Sequence, residues 1–252
     1  MNDQNHGTFV RSPETDKAQV RAYVDYHAGD QKPPSVARVW ARPGPAVTIS
    51  DQTGSGAHEI ARRLATVLKA GESPDAPPWT VFDRELVEKA LEEHHLPKRL
   101  ARHMPEDRRS YLDDVLDEIL GLRPPSWELI PKIIKTVLHL AETGHVILIG
   151  RGAGFITRKL PNVFHVRLIA SLAQRIERVE KAENLSAKAA AKFIAKTDSG
   201  RGRYVKAHFH SRVDDDLQYH LVLNTDLVPL ADAADLVADG ARRCFLHFDR
   251  EV

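Results

Sequence analysis

The stretch from Ala46 to Ile60, AVTISDQTGSGAHEI, constrains the fold more than any other part of the chain. Ala46–Ser50 is a short β-branched run behind Pro45 and reads as a buried strand. Asp51–Gly56 is a glycine-containing loop. From Ala57 to Ala70 the apolar residues Ile60, Leu64, Val67 and Leu68 recur at helical spacing. A strand that turns through small residues straight into a helix aims several backbone N–H groups at one point, together with the positive end of the helix dipole. Gly54 and Gly56 give the backbone room to approach a phosphate, and Thr53 and Ser55 add hydroxyls. The expected phosphate contacts are Thr53, Gly54, Ser55, Gly56, Ala57 and His58. From these residues alone, a tight strand–helix turn without a ligand reads equally well.

The loop departs from the full phosphate-loop pattern G-x-x-x-x-G-K-S/T. Asp51 stands where the first glycine would be, Gly56 matches the second, Ala57 replaces the lysine, and His58 replaces the hydroxyl residue. The missing lysine removes a cation that stabilises charge on a transferring phosphoryl group, and the missing hydroxyl removes a usual magnesium ligand. Backbone amides remain available for binding; catalysis needs cations from elsewhere.

The rest of the chain extends the α/β pattern. Trp79–Phe82, His145–Ile149, Val163–Ile169 and Tyr219–Leu223 read as four further strands. Helices are predicted over Arg84–Glu93, Ser171–Glu183, Ser186–Thr197, Arg203–His210 and Leu230–Phe245. Residues 97–143 are helical in pattern, with breaks at Gly121, Pro124–Pro125 and Pro131. Short apolar strands alternating with helices predict a five-stranded parallel sheet flanked by helices. Residues 1–45 carry Pro13, Pro33, Pro34, Pro43 and Pro45 and few aliphatic residues, so they read as a partly flexible N-terminal extension. Residues 46–252 read as one domain, with a helical insert at about 97–143 and a lid at about 186–216.

Of the 252 residues, 42% are hydrophobic, enough for a sizeable core. The net charge of +1 gives no global attraction to nucleic acid or an anionic membrane, so anion binding must come from a local cluster. The single cysteine, Cys244, excludes an intramolecular disulfide and a Cys-rich zinc site. The N-terminus lacks the apolar stretch of a signal peptide, and no run approaches the roughly 20 residues that span a bilayer. The expectation is a cytoplasmic protein with no nucleic-acid or membrane partner.

Five ordered segments resemble the cytidylate kinase-like family, relatives of the P-loop nucleoside monophosphate kinases, over about residues 46–240. They are TISDQTGSGAHEIARRLA from Thr48; Val81 to Leu86 (VFDREL); Val146 to Ala153 (VILIGRGA); Asp198 to Arg201 (DSGR) with Arg203 and Tyr204; and Tyr219 to Thr225 (YHLVLNT). The resemblance implies a P-loop NTPase-type three-layer fold with a helical lid. It implies a donor such as ATP or another nucleoside triphosphate with Mg²⁺, and a nucleoside monophosphate such as CMP as acceptor. Arg151, Arg201 and Arg203 are then the expected catalytic cations, and Asp83, Arg84 and Arg151 the expected acceptor contacts. Alternatives from the residues themselves are a helix cap at Asp83, an i,i+3 ion pair of Asp198 with Arg201, and a solvated basic face for Arg203.

Other clusters are weaker. His94-His95 and His208 with His210 lack a metal-ligand framework, and no metal site is assigned. Asp214–Asp216 reads as a charged turn. Ile133, Ile134, Val137 and Leu138 read as helix packing, over the acceptor site or at a homodimer face. Two functions stand: phosphoryl transfer to a small acceptor, and a nucleotide-binding regulatory protein with a degenerate loop and little turnover.

Overall fold

Five strands form one parallel sheet: β1 (Ala46–Asp51), β2 (Thr80–Phe82), β3 (Val146–Ile149), β4 (Val163–Ile169) and β5 (Leu221–Asn224), in the order β2-β3-β1-β4-β5. The computed structural model describes residues 22, 23, 26, 43–83 and 129–251. Six helices are described: α1 (Ala57–Ala70), α2 (Leu129–Thr143), the single turn α3 (Ala153–Ile156), α4 (Leu172–Glu183), α5 (Ala187–Phe209) and α6 (Leu230–Glu251). Because every strand pair is parallel, all carboxyl ends lie on one edge of the sheet, the edge where open α/β sheets bind ligands. That edge carries Asp51, Asp83, the turn 150–152, Ala170 and Thr225.

Helices cover both faces, as an all-parallel sheet requires. On one face Ile60, Leu64 and Leu68 of α1 and Val237 and Ala241 of α6 bury Val47, Ile49, Ile147, Val166 and Leu168. On the other, Ile133, Ile134, Val137 and Leu138 of α2 and Ile156 of α3 cover Ala46, Phe82, Val146, Leu148 and Val163. Tyr23, from the N-terminal extension, joins this second core. Its ring meets Phe82 edge-on at 5.4 Å and its hydroxyl donates to Gly144 O at 2.9 Å.

Three elements differ from the sequence reading. The expected break at Pro131 is absent, because the proline falls in the first turn of α2, where no backbone donor is lost. β5 starts at Leu221, two residues later than read, after a 3₁₀ turn over Asp216–Gln218 in which Asp215 accepts from Leu217 N at 3.2 Å. The two helices read at 186–197 and 203–210 are one helix of 23 residues that passes through Gly200 and Gly202. Each glycine costs about 1 kcal/mol in a helix interior. Buried Ala190, Ile194, Val205 and His208 on either side, and the Ser186 N-cap, offset that cost. Arg84, His94, His95 and the part of the insert from 97 to 128 lie outside the described residues.

Candidate functional site

The loop after β1 is shaped by its glycines. Gly54 (φ 86°) and Gly56 (φ 91°) are left-handed, a conformation that L side chains rarely adopt. The reason for glycine is packing as well as turn geometry. A Cβ on Gly54 would lie 2.7 Å from Arg175 O, and one on Gly56 would lie 2.6 Å from Leu230 Cδ2. The sides of Gly54 and Gly56 on which a Cβ would project are therefore packed against α4 and α6. Gly56 is the N-cap of α1 and no side chain caps the helix, so the first-turn N–H groups, including those of Ala57 and His58, are presented at the loop. Ser55 Oγ is sealed inside the turn without a hydrogen-bond partner.

Charged groups from three elements hold this loop. Asp198 of α5 accepts through Oδ1 from Thr53 N at 2.9 Å and Thr53 Oγ1 at 2.7 Å, and its Oδ2 pairs with Arg175 Nη1 of α4 at 2.6 Å. Arg201 Nη1 donates to Asp51 O at 2.9 Å, Asp51 Oδ2 at 3.1 Å and Thr53 Oγ1 at 3.2 Å. The i,i+3 pair of Arg201 with Asp198 is longer, at 3.9 Å, so the guanidinium is committed mainly to the loop. Arg178 of α4 donates to Gly54 O at 3.4 Å, Thr225 Oγ1 at 2.9 Å and Thr225 O at 2.8 Å, and Thr225 Oγ1 in turn donates to Ser55 O at 3.0 Å. Two carboxylates, Asp51 and Asp198, offset Arg201 and Arg175. Arg178 hydrogen-bonds to neutral oxygens, and the carboxylates of Asp226 and Glu177 act on it through space.

The remaining expected residues distribute along the same edge. Arg151 sits directly after β3 in a turn whose three residues are all left-handed, with φ 72°, 54° and 71° at Gly150, Arg151 and Gly152. A Cβ on Gly152 would meet Phe209 Cε2 at 2.5 Å, so the end of α5 packs onto this turn. Asp83 is buried at the end of β2, with Oδ2 3.3 Å from Nε2 of the half-exposed His58. Arg203 is not brought to the loop. It is exposed and donates to Ser199 Oγ at 2.6 Å along its own helix, which matches the solvated basic face. Asp214 likewise forms a surface fork with Arg212 at 3.1 and 3.0 Å.

Sequence reading missed Arg175, Arg178 and Thr225, and treated Asp51 as a departure from a pattern rather than a partner. The signal was present: arginines three apart on a helix share one face, and that face of α4 meets the loop.

A magnesium ion arriving on a triphosphate takes oxygen ligands and keeps several waters. The buried Asp83 carboxylate is such a donor on the ligand edge. His58, in place of the usual hydroxyl, offers an imidazole that suits softer metals. Asp83 fits the ion and His58 does not.

A profile of the cytidylate kinase-like family matches residues 46–227, the segment that contains every described element from β1 to β5. Among solved structures, an uncharacterised protein of Eubacterium ventriosum superposes with a TM-score of 0.61 at 18% identity, covering 79% of this chain and 98% of that one. A shikimate kinase of Bacteroides thetaiotaomicron aligns with a TM-score of 0.40 at 16% identity, covering 82% and 99%. A curated Corynebacterium glutamicum protein named uronate isomerase is 32% identical over 114 residues, which are 45% of this chain and 22% of that protein.

Proposed function

The chain belongs to the cytidylate kinase-like family, and on that premise we propose that it transfers a phosphoryl group from a nucleoside triphosphate to a small acceptor, with CMP as the acceptor class. The observation that carries this reading is the entry of Arg201 from α5 into the loop that lacks its lysine. Phosphoryl transfer asks a protein for positioning and for charge at the phosphate oxygens. The uncapped start of α1 supplies main-chain donors for the donor phosphates. Arg201 supplies the planar guanidinium, held beside the loop before any nucleotide arrives. Arg151, at the end of β3, receives the acceptor phosphate, and Asp83 orients an acceptor hydroxyl or the magnesium ion. That ion neutralises charge on the triphosphate when bound. Arg203 is retained at most as an outer cation that does not contact the loop.

A coupled assay over nucleoside monophosphates tests the reaction. Transfer that is abolished by EDTA is expected; robust transfer in EDTA contradicts the magnesium role. One observation favours the regulatory reading: Thr53 N and Oγ1 already serve the Asp198 carboxylate. Triphosphate binding without transfer to any monophosphate would select that reading.

A further inference from the structure

Arg167 lies on β4 in register with Ser50 of β1, so the two side chains share one face of the sheet. This is the face on which a Cβ at Gly154 of α3 would lie 3.4 Å from Thr48 Oγ1. Arg167 is 6% exposed. Its Nη1 donates to Ser50 Oγ at 2.9 Å, and the group enters no ion pair among the described residues. Among the described residues no other acceptor meets its remaining N–H groups.

A guanidinium stays charged, and a buried charge without a counter-ion is costly. The same fold meets that requirement for Arg175, equally buried at 9% exposure, by setting Asp198 at 2.6 Å. Arg167 has no such carboxylate among the described residues. Asp214 acts on it through space, but Asp214 is already forked onto Arg212. The groups hydrogen-bonded around it are neutral, while Asp214 and Asp215 act through space on the adjacent Tyr219. Tyr219 Oη lies 3.2 Å from Ser50 Oγ and donates to Val213 O at 2.8 Å, and burial raises its phenol pKa, so it stays protonated. What Arg167 lacks, among the described residues, is an anion in hydrogen-bonding contact.

We infer that Arg167, with Ser50 and Tyr219 behind it, is a binding site for the anionic group of a small phosphate-bearing ligand. The site adjoins the phosphate loop, because Ser50 directly precedes Asp51. A ligand held there lies beside the donor phosphates, and on the reaction proposed above this ligand is the acceptor. Free inorganic phosphate offers the same chemistry.

Arg167→Met tests the site. It keeps the bulk of the side chain and removes the charge. Titration calorimetry is run with inorganic phosphate, with CMP and with ATP on the parent, on Arg167→Met and on Arg167→Lys, alongside thermal melts. The melting midpoint of Arg167→Met is expected at or above that of the parent, because an unpaired buried charge is gone. Affinity for CMP or phosphate falls at least tenfold, Arg167→Lys recovers part of it, and ATP binds within twofold of the parent. Loss with CMP alone identifies the acceptor subsite; loss with inorganic phosphate as well identifies a site for the free anion too. Equal affinities in parent and Met variant overturn the inference, as does a parent that binds neither probe. If the Met variant does not fold, an Arg167→Lys protein with parental affinities overturns it too. The transfer assay is read separately. Arg167-dependent binding without turnover would sink the proposed reaction and leave the site standing, and turnover indifferent to Arg167 would do the reverse.

Discussion

The two faces of the sheet are built differently. Toward α1 and α6, β1 and β4 present Val47, Ile49, Phe164, Val166 and Leu168, an apolar surface from one end to the other. Toward α2 and α3, the same strands start apolar with Ala46 and Val163 and then turn polar: Thr48 pairs with His165, and Ser50 with Arg167. Parallel register makes this a graded face, since each residue from Ala46 to Ser50 sits beside a partner of like character on β4. Both faces carry a buried apolar core, but only the first is apolar along the full length of β1 and β4. Buried polar groups gather at the carboxyl end of the second and in the loop beyond it, where Thr48 is paired with His165, Ser50 with Arg167 and Asp51 with Arg201.

Cutting into the apolar face gives the largest effect on stability. Leu64, fully buried against the sheet, leaves a cavity when replaced by alanine, and Leu64→Ala is expected to cost about 3 kcal/mol, read by urea unfolding. ATP affinity of the folded protein stays unchanged; a loss of affinity matching the loss of stability would blur the distinction between the faces. The polar face is next. His165 is buried, with Nδ1 2.7 Å from Thr48 Oγ1, and burial together with the neighbouring His220 holds its pKa down at about 4, below the ordinary 6.5. Between those values the unfolded chain binds the proton that the folded chain refuses. Stability therefore falls as the pH drops from 6.5 toward 4, by up to about 3 kcal/mol for this group. Unfolding curves across that range check it. His165→Gln removes this group's share of the slope, and an unchanged slope would count against the assignment. The smallest effect is expected on the outer side of α5, where Arg203→Ala changes stability by less than about 0.5 kcal/mol and kcat by less than twofold. A larger drop in kcat would return Arg203 to the catalytic set.

Much of this was legible in the sequence, for identifiable reasons. Periodicity located all five strands within one or two residues of their places, and Ser171 before an apolar-periodic run marked the start of α4. Gly-Ser-Gly between strand and helix located the loop. The continuity of α5 was not legible: Gly200 and Gly202 argue locally for a break, and the anchors that overrule them, Asp198 and Arg201 on the loop and Phe209 against Phe155, are tertiary. Arg175 and Arg178 read as the polar face of an amphipathic helix, because nothing in their own segment says that this face meets the loop. The alternation of His165 and Arg167 with Phe164, Val166 and Leu168 did signal a strand with one polar face, but the segment was read simply as one more short apolar strand.

In the proposed reaction Arg201 takes over the charge of the missing lysine. The direct measurement is the split between kcat and nucleotide affinity in Arg201→Ala, with melts to verify folding. A transition-state contact predicts a loss in kcat on the order of 10³-fold, an ATP affinity near that of the parent, and partial recovery with Arg201→Lys. A kcat within about twofold of the parent would contradict it and reduce Arg201 to a clamp that ties α5 to the loop through Asp51 and Thr53.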